Sequence, residues 1–130
     1  MDEIENYHLD FYNGTNITEL IRKDFNKKKT GLKDKELSKK NGINIFYSNL
    51  CSSCKKNYNT IINIADMYKN RFNIFSVNCN NIKDRNDYLI QDFKITEYPQ
   101  YKLLKNNKIK DIKLNSGKLE DFLFLIDNNI

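Results

Sequence analysis

Apolar and polar positions along the 130-residue chain alternate between two periods. "YHLDFYNG", residues 7–14, alternates closely enough for a first strand that ends at Gly14. In "TNITELIRKDF", Ile17, Leu20, Ile21 and Phe25 recur at helical spacing, with Thr15 or Asn16 as cap. The Lys-rich stretch up to Gly42 extends that helix or forms a second short one around "DKELSKK". "INIFYS", Ile43 to Ser48, is a continuous apolar run of strand length. Next, Tyr58, Ile61, Ile62, Ala65 and Tyr68 mark one face of a helix, and "FNIFSVN" is a second β-rich strand. "KDRNDYLIQDF" reads as a short helix with Tyr88, Leu89 and Phe93 as its apolar positions. "YPQYKLLKNNKIKDIKL" reads as a hairpin turning at Asn106 and Asn107. "SGKLEDFLFLIDNN" closes with a helix, Ser116 its cap and Leu119, Phe122, Leu123 and Ile126 facing inward. The order β-α-β-α-β-α-β-β-α predicts an α/β fold: parallel strand pairs, helices on both faces and an antiparallel hairpin at the end.

Composition narrows the class without changing this picture. With 39% hydrophobic and 30% charged residues, the chain suits one domain over residues 1–130. Residues 26–42 form a basic insertion before the strand at Ile43. No apolar run reaches the roughly 20 residues that span a bilayer. The acidic start "MDEIENYHLDF" lacks the pattern of a signal peptide, which predicts a reducing, cytoplasmic address. The Asn-, Lys- and Ile-rich composition is compatible with an AT-rich viral genome, hence also with a virion or host cytoplasm. Net charge is +5, concentrated in "NKKKTGLKDKELSKK" and "KNNKIKDIK". No aromatics interleave with the lysines, so nucleic acid is an unlikely partner.

Two of the three cysteines stand three positions apart in "NLCSSCKK". That pair serves as a redox couple, as half of a metal site, or as two buried thiols. Cys51 falls where a strand ends and a helix begins, a place that favours a thiolate, with Lys55 and Lys56 adding to the field. Cys54 lies one turn on, close enough to close a disulfide. Zinc asks for four ligands, and only Cys79 and His8 remain to supply them. No metal and no cofactor are therefore expected, although a metal or iron–sulfur site shared across a dimer through Cys51 stays open. Ser52, Ser53 and Lys55 are too polar for a core pair.

"INIFYSNLCSSCKK" resembles the active-site strand, redox motif and helix start of the thioredoxin superfamily, in particular thioredoxin and the catalytic domain of protein disulfide isomerase. "FSVNCNN" is similar to that family's third strand, "FKITEYPQYKLLKNNK" to its segment through the proline and turn, and "SGKLEDFLFLI" to its last helix. The resemblance implies a thioredoxin-like fold and a thiol–disulfide oxidoreductase. Its partners would be protein thiols and disulfides, with a reductase or thiol oxidase to reset it. Carried onto this sequence, it makes Cys51 the attacking thiol and Cys54 the resolving one, joined as a disulfide when oxidised. Pro99, the only proline, becomes the family's cis-proline, and Leu50, Ser52, Ser53 and Tyr98 join it in binding substrate. Cys79 becomes a buried strand cysteine and His8 a structural residue.

The departures are as informative. Leu50 stands where the family has an aromatic, Ser52 and Ser53 separate the cysteines, and Asn59 lies near the place of the helix-kinking proline. The family's buried acid and its lysine partner are replaced by Ile45 and Ser76. An apolar floor under the dithiol is therefore expected, with slow release of mixed disulfides. A weakly active thioredoxin-fold protein that binds partners through its basic surface is the alternative reading.

Overall fold

Strand β2, Gly42–Tyr47, is buried along its whole length, as a run such as "GINIFY" demands. It pairs in parallel with β3, Asn73–Asn78, and antiparallel with β4, Gln100–Lys105. Strand β1, Thr18–Leu20, lies beyond β3, and β5, Lys108–Asp111, lies beyond β4. The five strands run in the order β1-β3-β2-β4-β5. The computed structural model describes residues 10–114 and 118–130.

Alternation along β2 feeds two cores. Ile43, Ile45 and Tyr47 point to one face, covered by α2, Tyr58–Tyr68, and α4, Leu119–Asp127. Phe46 points to the other, covered by α3, Asp87–Asp92, and by the segment from Phe25 to Leu37. Between β2 and α2 lies the short helix α1, Ser52–Lys56. Among the described residues no helix is long and apolar enough to cross a membrane.

The thioredoxin-like α/β fold expected from the sequence is the one found, but its first quarter differs. Asp10 to Gly14 is turn rather than strand, and residues 7–9, with His8, lie outside the described residues. The predicted helix over Thr15–Phe25 is absent: β1 and a 3-10 turn at Arg22–Asp24 replace it. Helical spacing would gather its apolar residues on one side. Instead Ile17 enters the first core while Leu20 and Phe25 enter the second. The exposed edge of β3 offers a ladder that a three-residue strand can join, and that pairing overrides local preference.

The Lys-rich segment is a closed loop, not a helix. Phe25 and Leu32 form an antiparallel bridge, and Asn26 binds the backbone of Thr30 at 2.9 Å. The loop docks on the hairpin turn, where Asn107 Oδ1 accepts from Leu32 N at 2.9 Å and the amide of Ile109 donates to Thr30 O at 2.8 Å. Gly31 is required there, because a Cβ would meet Asn107 O at 2.3 Å. Asn106 and Asn107 both take positive φ, as a two-residue hairpin turn needs. In α4, Phe122 and Ile126 are buried and Leu123 packs at the edge, whereas Leu119 is exposed. The cap expected at Ser116 lies outside the described residues.

Candidate active site

The loop after β2 is held before any helix starts. Ser48 Oγ donates to Asn80 Oδ1 at 2.6 Å, and Asn49 N donates to the same oxygen at 3.0 Å. The amide of Leu50 donates back to Ser48 Oγ at 3.2 Å. Cys51 therefore arrives in a fixed place, as the N-cap of α1. Its Sγ accepts from the amide of Cys54 at 3.2 Å, and its thiol donates to the carbonyl of Tyr98 at 3.3 Å. Both cysteines are free thiols, one half-buried and the other closed off from solvent. Burial, aided by the Cys51 thiol, pushes the Cys54 pKa up to about 12. The helix breaks at Asn57, which ends α1 and begins α2, so the interruption needs no proline and falls two residues before Asn59.

The structure brings the remaining expected site residues to the same place. The Tyr98–Pro99 peptide is cis. Leu50 is 66% exposed, and Ser52 and Ser53 are exposed beside it. Tyr98 packs between the two cores, and its pKa and that of buried Cys79 are each raised to about 12, mainly by burial. Cys79 sits one residue past β3, its amide extending the ladder to Tyr47 O at 2.9 Å. A groove of about 540 Å³ runs past Pro99, lined also by Thr96, Gln100, Ile112 and Leu114. Among the described residues no cluster of metal-ligating side chains forms.

The floor is not wholly apolar. Registers across the sheet align Glu19, Ser76, Ile45 and Tyr101 in one row. The positions that lost an acid and a lysine are thus flanked by a carboxylate on β1. Glu19 Oε1 accepts from Tyr47 Oη at 2.8 Å and from Tyr12 N at 3.4 Å, and Oε2 is buried close to the sheet row that carries Ser76. Burial, and then the nearby Asp10 carboxylate, raise its pKa to about 7; the Tyr47 hydroxyl acts in the opposite direction. Stacked and edge contacts among Phe11, Tyr12, Tyr47 and Tyr58 pack the acid's surroundings. Glu19 and Asn80 were not foreseen from the sequence. Glu19 occupied a polar position of a helix that does not form, and Asn80 is one of many asparagines.

A family model for thioredoxin matches residues 19–126. No curated protein matches the chain. Among solved structures, the J-Trx1 fragment of ERdj5 is similar with a TM-score of 0.72 and 18% identity, covering 98% of this chain and 60% of that one. Thioredoxin f from spinach chloroplast is similar with a TM-score of 0.66 and 20% identity, covering 93% of this chain and 98% of that one. The ferredoxin:thioredoxin reductase and thioredoxin f2 complex gives a TM-score of 0.66 at 22% identity, covering 86% of this chain and 93% of the matched one.

Proposed function

The chain belongs to the thioredoxin family, and from that premise we propose that it exchanges electrons with protein disulfides through Cys51 and Cys54. Membership supports a thiol–disulfide oxidoreductase in general. The observation that carries the finer reading is the unequal pair: a half-exposed Cys51 whose sulfur already accepts an N–H, and a buried Cys54 behind it.

In the reducing direction, the thiolate of Cys51 attacks one sulfur of a substrate disulfide. The substrate S–S bond breaks, a mixed disulfide forms, and the departing sulfur takes up a proton. Cys54 then loses its proton and attacks Cys51 Sγ. The second substrate thiol leaves, the substrate has gained two electrons, and the protein holds a Cys51–Cys54 disulfide. A dithiol or reductase partner returns it to the reduced state, and the reverse sequence oxidises a substrate dithiol. The amide of Cys54 stabilises negative charge on Cys51 Sγ whenever it is the attacking or leaving thiolate. The groove past Pro99 suits an extended substrate segment, and exposed Leu50, next to Cys51 in the chain, offers an apolar contact.

Insulin reduction by the wild type and Cys51→Ser tests this. Turnover in the wild type and only background in Cys51→Ser is the expected result. Cys54→Ser should accumulate a mixed disulfide that a thiol reductant releases. Equal background rates in wild type and Cys51→Ser would overturn the reading in favour of a binding protein.

A further inference from the structure

A second concavity, of about 480 Å³, takes part of its wall from the segments that follow β1 and β3, the end of the sheet from which the dithiol loop also leaves β2. Arg22 and Lys23 reach it from the 3-10 turn beyond β1, and Lys27, Lys29 and Lys33 from the closed loop. Lys83 and Arg85 come from the loop after β3, more than 50 residues along the chain. These seven cations face one carboxylate, Asp84, itself bonded to the Asn81 side chain at 2.9 Å. The concavity alone thus exceeds the whole chain's net charge of +5. The placement is built rather than incidental. Buried Asn86 accepts from Arg22 N at 2.9 Å and donates to Asn78 O at 2.9 Å, joining the 3-10 turn to the loop after β3. Arg22 and Arg85 lie 4.5 and 4.4 Å from the centroid of the Tyr88 ring. Among the described residues only Arg85 of the seven has an acidic partner, Asp87.

We propose that this concavity docks acidic segments of protein substrates, so that their disulfides reach Cys51. The proposal rests on the redox reading above and names its substrate class. Three observations favour a protein over other anions. Six of the seven cations are exposed, and solvated charges of this kind steer and orient a macromolecule rather than coordinate a small phosphate compound. No aromatic face is free for a base: Tyr88 already carries both guanidinium groups, and Phe25 is 1% exposed. The carboxyl ends of β1 and β2 lie two strand spacings apart, about 10 Å. A standard protein interface, at about 800 Å² per partner, is wide enough to extend from the end of β1 to the end of β2.

The test compares two peptides, each with one internal disulfide, flanked by aspartates in one and lysines in the other. Hydroxyethyl disulfide serves as a small neutral substrate. At low salt the acidic peptide should show kcat/KM about tenfold or more above the basic one. About 0.5 M salt should collapse that preference. Lys27→Glu/Lys33→Glu/Lys83→Glu should invert it, with turnover of hydroxyethyl disulfide unchanged. Equal kcat/KM for the two peptides in the wild type would overturn the proposal. So would a preference that survives the triple reversal, or tighter binding of a single-stranded oligonucleotide or of tripolyphosphate than of the acidic peptide. Binding of a cysteine-free acidic peptide, read by fluorescence anisotropy, separates the two claims. If the wild type binds it and the triple variant does not, docking stands even where hydroxyethyl disulfide is not turned over.

Discussion

The carboxyl ends of β2 and β1 sit on one edge of one sheet, yet they carry opposite surfaces. Cys51 Sγ is held by the Cys54 amide and the Tyr98 carbonyl, uncharged groups both, and the partner thiol is buried. Beyond β1 the surface is cationic and solvated. On the proposed reading, the difference separates two tasks by range. Sulfur exchange depends on contacts of a few ångströms and on a proton held by a buried thiol. Charge acts over about 8–10 Å at ordinary salt and is useful where the chemistry is not.

The largest expected break between the two regions is in pH. Burial holds Cys54 protonated with a pKa of about 12, so its thiolate fraction rises with pH across the whole accessible range. Release of a trapped substrate from Cys51, followed by stopped flow, should accelerate about tenfold per pH unit between pH 6 and 9 where deprotonation limits it. Binding of the acidic peptide should stay flat over the same range, since no thiol takes part in it. A flat release rate would remove Cys54 deprotonation from the rate.

Glu19 gives the next effect, inside the dithiol region alone. Its folded pKa of about 7 lies above the ordinary value of 4.5, so the folded state holds the proton more tightly than the unfolded chain. The associated stability is fully present below pH 4.5 and is lost as pH rises through 7. Across that window the loss is on the order of 3 kcal/mol. Urea melts of the wild type should show this slope, and Glu19→Gln should flatten it. An equal slope in both proteins would assign the dependence elsewhere.

The smallest effect joins the regions. Asn86→Ala removes the acceptor of Arg22 N and one of the donors to Asn78 O, at a cost of about 1–3 kcal/mol in a thermal or urea melt. The loss should also blunt the preference for acidic peptides while hydroxyethyl disulfide turnover holds. A melt unchanged from the wild type would show that the asparagine is not what binds the two walls together.

The sequence was most readable where one pattern had one solution. "INIFYS" and "FNIFSVN" are too short and too apolar for anything but buried strands, and Asn106-Asn107 has the backbone freedom a tight hairpin needs. The cysteine spacing, with a strand before it and a helix after it, pointed to Cys51 and Cys54, which lie together at the start of α1. Ile17, Leu20, Ile21 and Phe25 were misread because their spacing fits a helix as well as a strand and turn. Only the edge of β3, some 55 residues on, decides between them. Glu19 was hidden by that same misreading. The basic run was visible as charge, but its concavity was not, since Lys83 and Arg85 join it only through the fold.

The docking of the closed loop on the hairpin has a consequence for how this chain meets other chains. The outward amide of Ile109 on β5 is already taken by Thr30 O, and at the opposite margin β1 is only three residues long. An open sheet invites a foreign strand wherever a row of free amides is left. Among the described residues one outward amide of β5 is taken and β1 is brief, which leaves little free ladder at either margin for a foreign strand. The lysine-rich loop thereby serves as a guard against self-association, and shortening it through Gly31 should show first as turbidity on heating rather than as lost catalysis.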